Sequence, residues 1–265
     1  MKFSKNNFLQ NFLNLLTYHT WCGISLCSDR EILSQTRNDK YKLYILSIIF
    51  LSLFLNLFSI YGQITKENSL IKIGRVKYSG GGDWYNDPSA EVNLLKFAQQ
   101  NTNIPIEPIY TYVDLASDNL FGFPIIFITG HGNMSFSNKE VSNLISYLQN
   151  GGFLYIDDDY GLDEFVRREM KKVFPDQKFV EIPFSHSIFN CHFKFPNGVP
   201  KTHEHDGKVP QTFGLFYQER LCVLYTVESN PSDGWADPEV HKDPPEAREN
   251  ALRFGTNIIV WALQN

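Results

Sequence analysis

Apolar residues follow two regimes along this chain. Residues 43–61 (LYILSIIFLSLFLNLFSIY) form one uncharged block without amphipathic period, preceded by Lys40 and Lys42. From about residue 64 onward, short apolar runs alternate with segments of helical period. The first pattern is that of an export signal or membrane anchor. The second is that of a globular α/β domain.

Within the domain, residues 71–78 (IKIGRVKY) predict a strand, broken by Gly80, Gly81 and Gly82. Asp87 followed by Pro88 predicts a helix start, with Asp as N-cap and Pro preorganised for the first turn. Residues 106–113 alternate apolar and polar, as a half-buried strand does. The run 124–129 (PIIFIT) is continuously apolar and ends at Gly130, His131 and Gly132, the reading of a strand buried on both faces. Ser137 and Glu140 form a capping box for a helix reaching residue 148. Residues 153–156 (FLYI) predict the next buried strand, ending in Asp157, Asp158 and Asp159. A helix over 163–174 and a strand over 178–182 follow. The pattern then changes. Residues 186–208 read as a covering loop rich in Pro, Gly and His, 212–217 and 221–227 as a hairpin, and 229–243 as a second loop. The last helix spans about 245–263.

Strand and helix alternate through the first half. This predicts the α/β class, with a mostly parallel sheet, helices on both faces and right-handed crossovers. Ligands bind such sheets beyond the carboxyl ends of the strands. Three polar clusters, GGGDWYND, TGHGN and DDDYG, each follow a strand and are predicted to converge on one rim.

Charge narrows the choice of partner. The chain has 265 residues, 43% of them hydrophobic, and a formal net charge of −5. Beyond residue 62 it carries 18 basic against 26 acidic residues, a balance of −8. So acidic a domain excludes nucleic-acid binding through phosphate neutralisation. It also disfavours adhesion to an anionic membrane surface. The basic flank before residues 43–61 keeps that end in the cytoplasm and sends the domain outward. The expected location is therefore periplasmic or extracytoplasmic, secreted or anchored to the inner membrane. Cleavage near Gly62 and retention as an anchor both stay open. So does the status of residues 1–42, either a polar leader or the product of a start site placed too far upstream. The domain itself is expected over 63–265. Of the four cysteines, Cys191 and Cys222 lie in the domain and read as two buried thiols, with a disulfide as the alternative after export.

The candidate chemistry sits in the polar clusters. Gly81, Gly82, Asp83, Trp84 and Tyr85 combine backbone N–H groups suited to an anion with an aromatic pair suited to a sugar or peptide. Gly130 and Gly132 flank His131 and permit close backbone approach to a ligand. Asp158 and Asp159, with Asp157, offer carboxylates to a cation or to hydroxyls. His203 and His205 share one face if their segment is extended, and with His131 and Asp157 they make a metal-ligand candidate set. Each has a plainer reading, as a turn, a helix-preceding acidic stretch or a solvated loop.

Taken jointly, GRVKYSGGGDWYNDP, FITGHGN, GGFLYIDDDYG, RREMKKVFPD, THEHDG and DGWADPEVH resemble the bacterial family called domain of unknown function 4159. The resemblance spans about residues 70–264. It implies a relation to the class I glutamine amidotransferase-like superfamily, hence a flavodoxin-like three-layer sandwich. In amidotransferases a strand delivers a nucleophilic Cys on a tight turn. Here the comparable stretch holds Asp157, Asp158 and Asp159, so glutaminase activity is not expected. Two readings follow. One is a ligand-binding or scaffold module of the cell envelope for a small molecule, glycan or envelope protein, with no cofactor required. The other is a metal-dependent hydrolase that uses rim His and Asp residues with a divalent metal.

Overall fold

A computed structural model of the chain describes Lys42 and residues 46–52, 70–203 and 205–265. The chain divides into two units between residues 67 and 68. In the first, residues 46–52 are helical. The rest of the apolar block, residues 1–41 and the junction at Gly62 lie outside the described residues. Among the described residues no helix is long and apolar enough to cross a membrane.

The second unit is built on one seven-stranded sheet. In chain order its elements are β1 (Ile73–Val76), α1 (Ala90–Asn101), β2 (Tyr112–Val113), β3 (Ile125–Ile128), α2 (Asn138–Gln149), β4 (Phe153–Asp157) and α3 (Asp163–Val173). Then come β5 (Val180–Glu181), β6 (Gln211–Tyr217), β7 (Arg220–Val227), α4 (Pro231–Trp235), α5 (Pro238–His241) and α6 (Pro245–Gln264). The strand order is β2-β1-β3-β4-β7-β6-β5. The first five are mutually parallel, and β6 runs antiparallel to both its neighbours. The α/β class and the mostly parallel sheet are therefore present.

Strand alternation divides the core into two faces. Ile126, Ile128, Leu154, Ile156 and Tyr225 point toward α2 and α3, where Leu144, Leu148, Val166 and Met170 meet them. Ile125, Phe127, Phe153, Tyr155 and Leu224 point toward α1 and α6, where Leu94, Leu95, Phe254 and Ile258 meet them. Every residue of β1, β3 and β4 is buried, which explains the apolar runs of β3 and β4; in β1 the buried set includes Arg75. The capping box forms as the sequence predicts: Ser137 N donates to Glu140 Oε2 at 2.6 Å, and Glu140 N donates to Ser137 Oγ at 3.4 Å.

Several elements differ from expectation, each for a physical reason. The strand foreseen over 106–113 shrinks to Tyr112–Val113 and an isolated bridge at Ile106. Pro105 and Pro108 carry no N–H and interrupt the ladder. The helix foreseen at Asp87 begins at Ala90, with Ser89 in the cap position. Asp87 has a left-handed φ of 45°, and its carboxylate is taken by His241 instead. The loop over 229–243 contains α4 and α5. Trp235 fixes α4 to the sheet: its ring packs 5.4 Å from Phe127 and 5.7 Å from Tyr155, and its Nε1 donates to Ala251 O. Cys191 and Cys222 are free thiols whose pKa burial pushes up to about 11.

Candidate functional site

Because β1, β3, β4 and β7 are parallel, the chain leaves all four at the same rim. The three polar clusters meet there. Gly82 N donates to Asn133 O at 2.9 Å, His131 bridges to Tyr160, and Asn86 Nδ2 donates to Asp159 Oδ2 at 2.6 Å. A fourth segment joins them, running from the end of β7 through α4 and α5, together with the loop that carries His203 and His205.

One buried cation organises the first cluster. Arg75 lies in β1 opposite Phe127 and is fully buried. Its guanidinium grips Glu91 of α1 with two bonds, of 2.5 and 2.8 Å. Its Nη1 donates to Trp84 O, Asn86 O and Asn86 Oδ1 at 2.9–3.1 Å. The planar fork thus ties strand, helix and loop together, a task a point-like ammonium would not perform. Beyond the fork, half-buried Trp84 packs against Tyr85 and Tyr112, with the Lys77 ammonium over its ring. Tyr85 is exposed. Gly82 allows a close backbone approach, since a Cβ there would lie 2.6 Å from His131 O. Gly81 faces open space.

His131 is clasped by two carboxylates. Its backbone N donates to Asp83 Oδ1 at 2.5 Å, and its Nδ1 lies 3.0 Å from Asp83 Oδ2. Its Nε2 lies 3.3 Å from Asp159 Oδ2. Burial pushes the Asp83 carboxyl upward, but the hydrogen bonds from His131 outweigh it and hold Asp83 below its ordinary value. Gly130 makes the clasp sterically feasible. It has a φ of 132°, and a Cβ there would sit 2.4 Å from the Tyr78 hydroxyl and 3.0 Å from Asp83 Oδ1. Gly130→Ala should therefore cost about 2–3 kcal/mol and displace the pair. Gly132→Ala, where an added methyl meets open space, should cost only strain of about 1 kcal/mol. Thermal melts of both variants check this, and equal losses would contradict it.

The three aspartates after β4 point three ways. Asp157 turns into the core and is fully buried. Its Oδ1 accepts from Thr226 Oγ1 at 2.6 Å, and its Oδ2 accepts from Ser232 N at 2.9 Å and Ser232 Oγ at 2.7 Å. It therefore anchors α4, with both oxygens committed. Burial pushes it up to about 7, against the pull of those donors. Asp158 accepts from Leu162 N at 2.8 Å and shapes the turn into α3, and burial raises it to about 6. Asp159, 2% exposed, faces the rim, where Asn86, Asn230 and His131 surround it.

Beside Asp159 lies a cluster of ligand-type groups. His203 and His205 stand with ring centroids 5.0 Å apart, and His205 stacks on Tyr160 at 4.8 Å. His203 Nδ1 lies 3.4 Å from Asp243 Oδ1. His241, on α5, is 2.9 Å from Asp87 Oδ2 through Nε2 and 3.7 Å from Asp233 Oδ2 through Nδ1. The ligand atoms of His203, His205 and Asp233 lie within 4.8 Å of one another, and so do those of Asp87, Asp233 and His241. Asn230, left-handed at φ 48°, turns its Nδ2 toward Asp159 O, Asp159 Oδ1, His205 Nε2 and Asp233 Oδ2. An amide has two hydrogens for those four acceptors. Asp233, 3% exposed, and Asn230 each keep an Oδ1 without a hydrogen-bond partner among the described residues.

Electrostatics points the same way. Burial and the charges of Asp159, Asp157 and Asp87 push Asp233 well above the carboxylate range. The Asp87 hydrogen bond raises His241, while burial and then His203 lower His205. Backbone strain gathers here too: Asp87, Glu228, Asn230 and Lys242 all have positive φ. The surplus of buried lone pairs suits a cation and is costly without one.

The rim thus gathers His131, Asp159, His203 and His205 as the sequence suggested, and turns Asp157 and Asp158 away. From sequence Asp87 reads as a helix cap and Asp233 opens a stretch, 233–238, similar in composition to the cluster at 80–85, while His241 and Asn230 are not singled out. Asp87 stands in GRVKYSGGGDWYNDP, and Asp233 and His241 stand in DGWADPEVH, two segments that carried the family resemblance; Asn230 stands in neither.

The family model described as Domain of unknown function (DUF4159) matches residues 72–263. No curated protein matches the chain.

Proposed function

The chain belongs to the DUF4159 family, and from the chemistry of its rim we propose that its α/β domain is a metal-dependent hydrolase. One observation carries this reading. His203, His205 and Asp233 converge within 4.8 Å, and the buried Asp233 keeps an oxygen without a partner among the described residues. Two imidazoles and a carboxylate form a three-ligand set of the kind that leaves a divalent cation one position for water. Such a cation acidifies its water and polarises a substrate carbonyl or phosphoryl group. His131 is the candidate proton carrier. It is half exposed and oriented through Nδ1 by Asp83, which leaves Nε2 toward the rim.

The strand order β2-β1-β3-β4-β7 supports the flavodoxin-like, amidotransferase-like reading of the sheet. No thiol stands at this rim among the described residues, because Cys222 is buried in β7 and Cys191 bonds to Asn257 O and Ile188 O. Glutaminase chemistry is therefore not proposed. A second reading, a binding module for a small molecule, glycan or envelope protein, draws on the exposed Tyr85 beside Trp84. Export or anchoring through residues 43–61 remains part of the proposal, and the mass of the mature N-terminus tests it.

The deciding experiment is metal analysis of the full-length chain after equilibration with zinc or manganese. We expect at least about one equivalent to be retained. His203→Ala with His205→Ala should remove it while far-ultraviolet circular dichroism stays unchanged. Retention of less than about a tenth of an equivalent by the unmodified chain would sink the hydrolase reading and leave the binding module.

A further inference from the structure

We propose that the rim holds two divalent cations rather than one, bridged by the carboxylate of Asp233. This rests on the metal-dependent reading above and extends it. Asp233 belongs to two separate triads, one with His203 and His205 and one with Asp87 and His241. The triads approach it from different parts of the chain. His203 and His205 come from the loop before β6, whereas Asp87 precedes α1 and His241 ends α5. Ligands sharing one ion at bonds of about 2.0–2.2 Å stand at most about 4.4 Å apart. The ligand atoms of each triad lie within 4.8 Å of one another.

The two oxygens of Asp233 have separate surroundings. Oδ2 lies 3.7 Å from His241 Nδ1 and 3.5 Å from Asn230 Nδ2. Oδ1 is buried and has no partner among the described residues. A carboxylate that belongs to both triads and keeps one oxygen without a partner is placed to bridge two ions. Its position is also enforced from below, because Asp157 holds the adjacent Ser232 through backbone and hydroxyl.

The supply of ligands and charge fits two ions. Three imidazoles (His203, His205 and His241) and the carboxylates Asp87, Asp159 and Asp233 adjoin one another around this rim. A single tetrahedral ion uses four ligands. Asp243, beside His203 Nδ1, is placed to orient that ring as a carboxylate behind a metal-bound imidazole. Two cations about 3.5–4 Å apart would clamp the attacking and leaving oxygens of a hydrolysed bond.

Manganese titration of the full-length chain, read by metal content and by electron paramagnetic resonance, tests this. We expect about two equivalents and a spin-coupled pair signal. His241→Ala should keep about one equivalent and lose the coupling. Asp87→Asn serves the same purpose if the alanine variant fails to fold by circular dichroism. One equivalent in the unmodified chain would overturn the second cation and leave the hydrolase reading standing. No binding at all would overturn both. Two ions retained without His241 or Asp87 would place the second ion elsewhere and overturn the bridge.

Discussion

Arg75→Met is expected to cost about 3–5 kcal/mol of stability, enough to lower the melting temperature by roughly 10 °C. The cost does not arise from losing a favourable salt bridge as such. It arises because Glu91, 1% exposed, would be left as a buried charge without its partner. Removing both charges should therefore restore most of the loss, so Arg75→Met with Glu91→Leu should melt near the unmodified protein. The rim should not recover with it. Trp84 O, Asn86 O and Asn86 Oδ1 all depend on the same guanidinium, and Asn86 holds Asp159. Thermal melts and metal titration together thus separate two roles of one residue. If the double variant regained both stability and metal affinity, Arg75 would be a core filler with no positioning role.

The second large effect is a dependence on pH in the metal-free protein. Asp157 is raised to about 7 and Asp158 to about 6, from an ordinary value of 3.8. Between those limits the native state keeps protons that the unfolded chain has released. Stability must therefore fall as pH rises from about 4 to about 7, by up to about 1.4 kcal/mol per pH unit for each group. The contribution is fully present below the unfolded value and lost through the folded one. His241, raised by Asp87, adds the same sign slightly higher. Asp83 and Glu169, both lowered, act in the opposite direction and at more acid pH. Asp233, raised furthest by burial and by the charges of Asp159 and Asp157, adds the same sign across this whole range. Asp157→Asn isolates one contributor that lies away from the rim. Its amide oxygen can take both Ser232 donors while its NH2 faces Thr226 Oγ1. Chemical denaturation at pH 5 and at pH 7.5 should show a flatter profile for this variant, and parallel profiles would exclude Asp157 as the source.

The sequence made the frame legible where burial leaves an unambiguous trace. Residues 125–128 and 153–157 are buried along their whole length, so their composition alone marks them. The capping box at Ser137 is local and survived intact. What escaped was governed by distant partners. Asp87 has the chemistry of an N-cap, but a histidine 154 residues away claims its carboxylate. Arg75 stands in a strand pattern as a solvent-facing charge would, and only Glu91 on a neighbouring helix explains its burial. His203 and His205 were suspected because period two places them together, yet the carboxylate that meets them, Asp233, lies beyond an entire hairpin. Periodicity reports which face a residue occupies and says nothing of what arrives opposite it.

The triplet Asp157, Asp158 and Asp159 bears on how this protein tolerates change in length. Three identical letters perform three separate tasks: one fastens α4, one forms the turn into α3, and one meets the rim. Inserting a fourth aspartate would leave an aspartate at each of the three places after β4 and push Tyr160 and the turn into α3 out of register with Asp158. A deletion would bring Tyr160 into the place of Asp159 and remove the rim carboxylate. Conservative substitution at one of these positions disturbs one task, whereas a single-codon insertion or deletion disturbs the turn into α3 and the rim together. The triplet should therefore be among the least forgiving places in the chain for an insertion scan, although a reader scoring only residue type would see no change there.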